Sequence, residues 1–199
     1  MSRTTATIMT AALAVIAGTT GAQAQPGQSL TDIDELYWQA QLFLRVAPAE
    51  NFCVPGMTPY TFLTQSPGRH STTCHVPAGR QVAIPVVATI EYGTQYVAYL
   101  PLYSAQTVNA ATGLSFSING HAERVTAEWR GPTPIFLSSA IEGQSPAYTA
   151  ADGYFTVRTF NPGNYTVHTT GCLPAQNAPP GGSAIPAACY DMTYQLIVR

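Results

Sequence analysis

The chain has 199 residues, only 9% of them charged, and a formal net charge of −2. Its basic residues are all arginine, too few and too scattered to form a basic track for phosphates, so nucleic acid is excluded as an expected partner. An abundance of Thr, Ser, Gly, Pro and Tyr suits short strands joined by punctuated turns.

Arg3, the apolar run from Ile8 to Ile16 and the small-x-small step Ala22-Gln23-Ala24 have the form of an export signal cleaved near Ala24. The apolar run is too short to span a bilayer, so an integral membrane protein is not expected. The expected organisation is a signal peptide over 1–24 and a single β-sandwich domain over 25–199, secreted or periplasmic.

After a short lead, Thr31 caps a predicted N-terminal helix whose first turn carries Asp32, Asp34 and Glu35, where the helix dipole favours acids. Ile33, Leu36, Tyr37, Ala40 and Leu44 recur at helical spacing, Trp38 and Phe43 widen the stripe, and Pro48 ends it. The stretch from Phe52 to Thr73 alternates turn signals with one short strand, Tyr60 to Thr64. Cys74 and the turn Pro77-Ala78-Gly79 lead into Gln81 to Ile90, whose β-branched apolar run predicts a central buried strand. Pro85 cannot donate to a ladder, so a bulge or a strand edge is expected there. Tyr92 to Tyr103 continues as a tyrosine-rich extended segment broken by Gly93 and Pro101.

Leu114 to Ile118 alternates apolar and polar residues into Asn119-Gly120, a strong hairpin signal, with His121 to Trp129 as the return strand. Ile135 to Leu137 follows a Gly-Pro-Thr-Pro break. Tyr154 to Phe160 runs through Asn161-Pro162-Gly163-Asn164 into Tyr165 to Thr169, a second predicted hairpin. Met192 to Val198 closes the chain as a core strand. The fold class expected is all-β: an antiparallel β-sandwich with one N-terminal helix and two disulfide-closed loops.

Four cysteines in an exported chain imply two disulfides, with three connectivities open. We expect Cys53–Cys74 and Cys172–Cys189, because each pair encloses one Pro/Gly-rich loop. A four-cysteine zinc site is disfavoured by the lack of any C-x2-C pair.

Three segments carry a family resemblance. The first is Trp38 with Leu42-Phe43-Leu44 and Pro48; the second is Cys53 with Cys74-x-Val76-Pro77-Ala78-Gly79-Arg80 and Pro85. The third is Ala151-Asp152-Gly153-Tyr154 with Pro162-Gly163-x-Tyr165-Thr166-Val167 and Thr193-Tyr194-x-Leu196-x-Val198. Together they resemble a family of small exported bacterial β-sandwich proteins without settled biochemical activity. The resemblance implies the fold and brings no catalytic residue. Arg80 stands where that pattern has Lys, and the Cys172–Cys189 loop is an addition to it.

Catalytic signals are sparse. The histidines (His70, His75, His121 and His168) show no H-x-H or H-E-x-x-H spacing, so no metal and no cofactor is expected. Gly143-Gln144-Ser145-Pro146-Ala147 lacks the second Gly and the strand–helix context of a nucleophile elbow. Glu91, Asp152 and His75 remain as weak catalytic candidates; Asp152 before Gly153 also suits an Asx-type turn. Tyr92, Tyr96, Tyr99, Tyr103 and Trp129 are the candidate binding residues, since exposed flat rings stack on sugars and other apolar faces. The sequence therefore points to a non-catalytic exported protein binding a small molecule, a glycan or a protein. The alternative is a secreted hydrolase of a glycan or other polymer that works with paired carboxylates.

Overall fold

The computed structural model describes residues 52–55, 60–93, 97–133, 136–138, 147–176 and 186–199. The expected signal peptide and N-terminal helix lie outside these residues, as does Tyr96.

The described strands are β1 (Cys53–Pro55), β2 (Tyr60–Leu63), β3 (Gly68–Val76), β4 (Gln81–Gly93), β5 (Thr112–Ile118), β6 (His121–Glu123), β7 (Phe136–Ser138), β8 (Ala147–Thr159), β9 (Gly163–Leu173) and β10 (Ala188–Val198). One α-helix is described, α1 (Leu100–Asn109). The strands form two five-stranded sheets, ordered β1-β2-β4-β8-β7 and β3-β10-β9-β5-β6.

Both sheets are mixed, which corrects the purely antiparallel expectation. β2 runs parallel to β4 and β3 parallel to β10, while the remaining neighbours are antiparallel. The cause is topological: β3 belongs to the other sheet, so the chain reverses twice between β2 and β4 and returns in its original direction.

β4 occupies the middle of the first sheet and is buried on both faces, as its apolar run predicts. On one side Val82, Ile84 and Val86 join a cluster with Cys74, Phe116, Val167, Met192, Tyr194 and Leu196 of the second sheet. On the other side Ala83, Ala88 and Ile90 join Tyr60, Phe62, Ala151 and Phe155. The two outer-face sets, residue 83 and then residues 88 and 90, differ in parity. A bulge between Pro85 and Val87 accounts for the switch. It turns Thr89 and Glu91 toward the inner face, the side that α1 and the second sheet share.

The two sheets are tied together at several points. Cys53–Cys74 joins β1 of the first sheet to β3 of the second, whereas Cys172–Cys189 links opposed residues of β9 and β10 within the second sheet. Both are the expected pairings. Tyr194 of β10 donates a 2.7 Å hydrogen bond from its buried phenol to the Thr64 carbonyl beyond β2. Burial pushes that phenol far above its usual pKa. Arg158 of β8 pairs with Glu123 of β6, its guanidinium lying 5.4 Å from the Trp129 ring centre and 5.9 Å from that of Phe116.

Asn119 and Gly120 form the expected tight turn, with φ of 51° and 78°. The return strand stops at Glu123, however, because the chain then crosses toward β8 through a 3-10 turn at Ala127–Trp129. The second predicted hairpin is a corner instead. β8 pairs with β4 and β7 in the first sheet, and β9 pairs with β10 and β5 in the second. Buried Phe160 marks the point where the chain changes layers. Of the segment expected to be extended from Tyr92 to Tyr103, Tyr92 and Gly93 end β4, while Val97 to Tyr103 are helical. Pro101 sits in the first turn of α1, where its missing N–H is harmless. Leu100, Ser104, Thr107 and Val108 then form the buried stripe at i, i+4, i+7 and i+8.

Candidate functional site

The C-terminal half of β4, the N-terminal half of β8 and α1 meet at one end of the first sheet. Asp152 of β8 stands directly opposite Thr89 of β4, and Glu91 lies two residues further along. Opposed residues share a face, so Thr89, Glu91 and Asp152 all turn inward beside α1. A diagonal pair of this kind, Glu91 and Asp152, stands roughly 7–8 Å apart. Thr89 Oγ1 donates to Glu91 Oε1 at 3.0 Å, and both residues are buried.

Asp152 is fully buried, and the groups around it explain how its charge is accommodated. Arg130 Nε lies 3.1 and 3.0 Å from its two carboxylate oxygens, and Nη2 donates to Oδ2 at 2.6 Å. The Gly153 amide donates to Oδ1 at 2.8 Å. The same guanidinium donates to the Ala105 carbonyl of α1 at 3.3 Å and to Asn109 Oδ1. The neighbouring carboxylate holds the Arg130 proton more firmly than usual, against the opposing effect of desolvation.

Arg130 is positioned by main-chain bonds that lay residues 130–133 along β8. The Gly131 amide donates to the Gly153 carbonyl at 3.0 Å, and the Thr133 amide to the Ala151 carbonyl at 2.8 Å. Asp152 is therefore an interior strand residue bound to an arginine, which corrects the Asx-turn expectation.

His75 does not join this group. It is exposed on β3 of the second sheet, between inward-facing Cys74 and Val76. Among the described residues no group of three His, Cys, Asp or Glu side chains is arranged to hold a metal ion.

The aromatic candidates separate. Tyr99 is 51% exposed immediately before α1, and Tyr103 is half-buried one turn later. Tyr92 pairs through its main chain with Thr149. Trp129 is half-buried and packs edge-on against Phe116, with ring centres 5.0 Å apart.

Two further large apolar side chains are comparably exposed. Leu102 is 52% exposed and Tyr148 is 47% exposed. Tyr148 sits opposite Gly93, the last residue of β4, and Tyr99 follows Gly93 by only a few residues. Tyr148 thus lies beside the C-terminal end of β4, while Tyr99 and Leu102 lie at the start of α1, which packs on β4 and β8. Leu102 was legible once α1 was assigned, since it falls off the buried stripe; Arg130 and Asn109 carried no local signal of their roles.

This architecture defines a β-rich, two-sheet, two-disulfide protein with a buried acid–arginine floor and an exposed apolar rim at one end. No protein-family model matches the chain, and no curated protein matches it. A solution structure of amebosin aligns at 14% identity over 66% of this chain and 100% of its own, with a TM-score of 0.18. That score is too low to carry an argument. Among the described residues no helix is long and apolar enough to cross a membrane.

Proposed function

We propose that the chain is an exported, non-catalytic β-sandwich protein, of the kind its sequence motifs resemble, that binds a neutral ligand at the rim around α1. The preferred ligand is a polysaccharide, whose sugar rings offer flat apolar faces. One observation carries this reading: the exposed large apolar side chains among the described residues are Tyr99 and Leu102, at the start of α1, and Tyr148, opposite the last residue of β4. Residues 97–109 and 147–151, which carry them, contain no Asp, Glu, Lys, Arg or His, so an uncharged partner fits best. The two disulfides suit the oxidising compartment this reading requires.

The hydrolase reading draws support from Glu91 and Asp152 sharing one face of adjacent strands. Against it, Asp152 is sealed from solvent and neutralised by Arg130, which removes Asp152 as the second carboxylate of such a pair.

The test is retention of the purified protein on a panel of insoluble and immobilised polysaccharides. The Tyr99→Ala, Leu102→Ala, Tyr148→Ala triple variant is expected to lose retention and Glu91→Gln to keep it. Retention on no polysaccharide, or equal retention of the triple variant, rejects the rim. Turnover of a polysaccharide that Glu91→Gln abolishes selects the hydrolase.

A further inference from the structure

The first sheet is buried on its outer face as well as on its inner one. Ala83 and Ala151 are fully buried there, and Phe155, Phe62, Ile90 and Tyr60 are no more than 8% exposed. Yet every described residue of this cluster belongs to the first sheet itself, to β1, β2, β4 or β8. A sheet cannot cover its own face, because the side chains on that face all point the same way. The second sheet lies on the inner side. So does α1, whose Ala105 carbonyl is held by the arginine that binds inward-facing Asp152. In a single chain, burial this deep requires cover from elsewhere in the same chain.

Outside the described residues, 56–59, 94–96 and 134–135 are too short to blanket this face. Residues 139–146 and 177–185 carry one large aliphatic side chain each, Ile141 and Ile185. The N-terminal segment is different: 31–47 carries the apolar stripe of Ile33, Leu36, Tyr37, Ala40 and Leu44. A helix over 32–47 is about 24 Å long at roughly 1.5 Å per residue. The outer apolar residues of β4, from Ala83 to Ile90, extend about 23 Å at roughly 3.3 Å per residue. The segment also arrives at the right place. It leads into β1 at the edge of the first sheet, and Val54 of β1 packs against the outer cluster. From Pro48 to Phe52 the chain can span up to about 14 Å, enough to pass from β1 over β2 and β4, whose strands stand about 4.8 Å apart.

We propose that residues 31–47 dock as an amphipathic helix along the outer face of the first sheet, stripe inward, making a third layer over the two sheets. The two surfaces match in chemistry. The cluster on the sheet is wholly uncharged, its alanines (83, 88 and 151) allow close approach, and its aromatic rings lie among them. The acids Asp32, Asp34 and Glu35 fall at the start of the segment, off the centre of its stripe. Cleavage near Ala24, as the export signal predicts, leaves this segment on the mature chain. Undocked, the face would be an exposed apolar patch that promotes association.

Thiol accessibility in the whole exported chain tests this. Ala151→Cys reports on the outer face of the first sheet and Val167→Cys on the core between the sheets. Both are expected to resist iodoacetamide. Leu44→Glu puts a charge into the stripe and should speed alkylation of Ala151→Cys by about tenfold or more, leaving Val167→Cys protected. Leu42→Glu, on the opposite side of the helix, should leave both protected. Where Leu44→Glu also exposes Val167→Cys, the milder Leu44→Ala reads the same contrast. Unchanged alkylation of Ala151→Cys in both Leu44 variants overturns the proposal. So does a rise that Leu42→Glu equals, or one that Val167→Cys matches in both Leu44 variants.

Discussion

Arg130 holds Asp152 through two of its nitrogens while the same guanidinium reaches the Ala105 carbonyl and Asn109 of α1. One side chain thus joins the crossover after the 3-10 turn, the central part of β8 and the helix that covers it. Asp152 has no water to turn to if this contact is lost.

Removal of Arg130 is therefore expected to be more damaging than neutralisation of Asp152. Arg130→Met leaves a buried carboxylate with only the Gly153 amide, and should lower stability by ~3–5 kcal/mol. Asp152→Asn removes the charge but keeps an oxygen for Gly153 and Arg130, and should lower it by less. Urea unfolding of the two variants measures the difference. Equal losses would mean that the contact acts as an ordinary polar packing unit rather than as charge compensation.

A second carboxylate supplies a pH prediction. His168 Nε2 donates to Asp191 Oδ1 at 2.8 Å and Arg69 Nε to Oδ2 at 2.7 Å. The His168 bond first, and the Arg69 bond next, hold the Asp191 carboxyl below the usual carboxylate range. Its folded value is thus lower than its unfolded one. The stabilisation is complete above the unfolded value and disappears as pH falls through the folded one. Urea midpoints followed downward from neutral pH should fall more steeply in the wild type than in Asp191→Asn. The effect is modest and declines with added salt, because the pair lies on an open sheet face. Parallel curves would show that Asp191 titrates alike in both states.

The parts of the fold that were legible in the sequence are those whose cause is local. Pro85 announced its bulge, Asn119-Gly120 its turn, and the β4 run its two-sided burial. β3 was missed because its outward residues are Arg69, Ser71, Thr73 and His75, and its alternation becomes apolar only at Cys74 and Val76. The corner after β8 resembles a hairpin because a tight turn joins two strands either way; only long-range pairing decides which layer β9 enters. The site was half legible for the same reason. Glu91 and Asp152 were individually recognisable acids, but their shared face depends on the bulge, and Arg130 approaches Asp152 from across the chain.

Gly171 gives a test of that packing at the bulge. It lies on the inner face of β9, buried against β4. A Cβ placed there would stand 2.3 Å from Val87 Cγ1 and 2.9 Å from Leu114 Cδ2. Val87 is the first residue back in register after the bulge and is stiff about χ1, so it has little freedom to withdraw. Gly171→Ala is therefore expected to force the two sheets apart locally, lowering stability by ~1–3 kcal/mol as overpacked cores do. Val87→Ala removes the nearer obstructing methyl, so in that background the same Gly171 substitution should have a much smaller effect. A double-mutant cycle isolates this coupling from the separate loss of Val87 packing. Strict additivity would place the origin of the Gly171 effect elsewhere, in the backbone freedom of the unfolded chain rather than in the approach of β9 to β4.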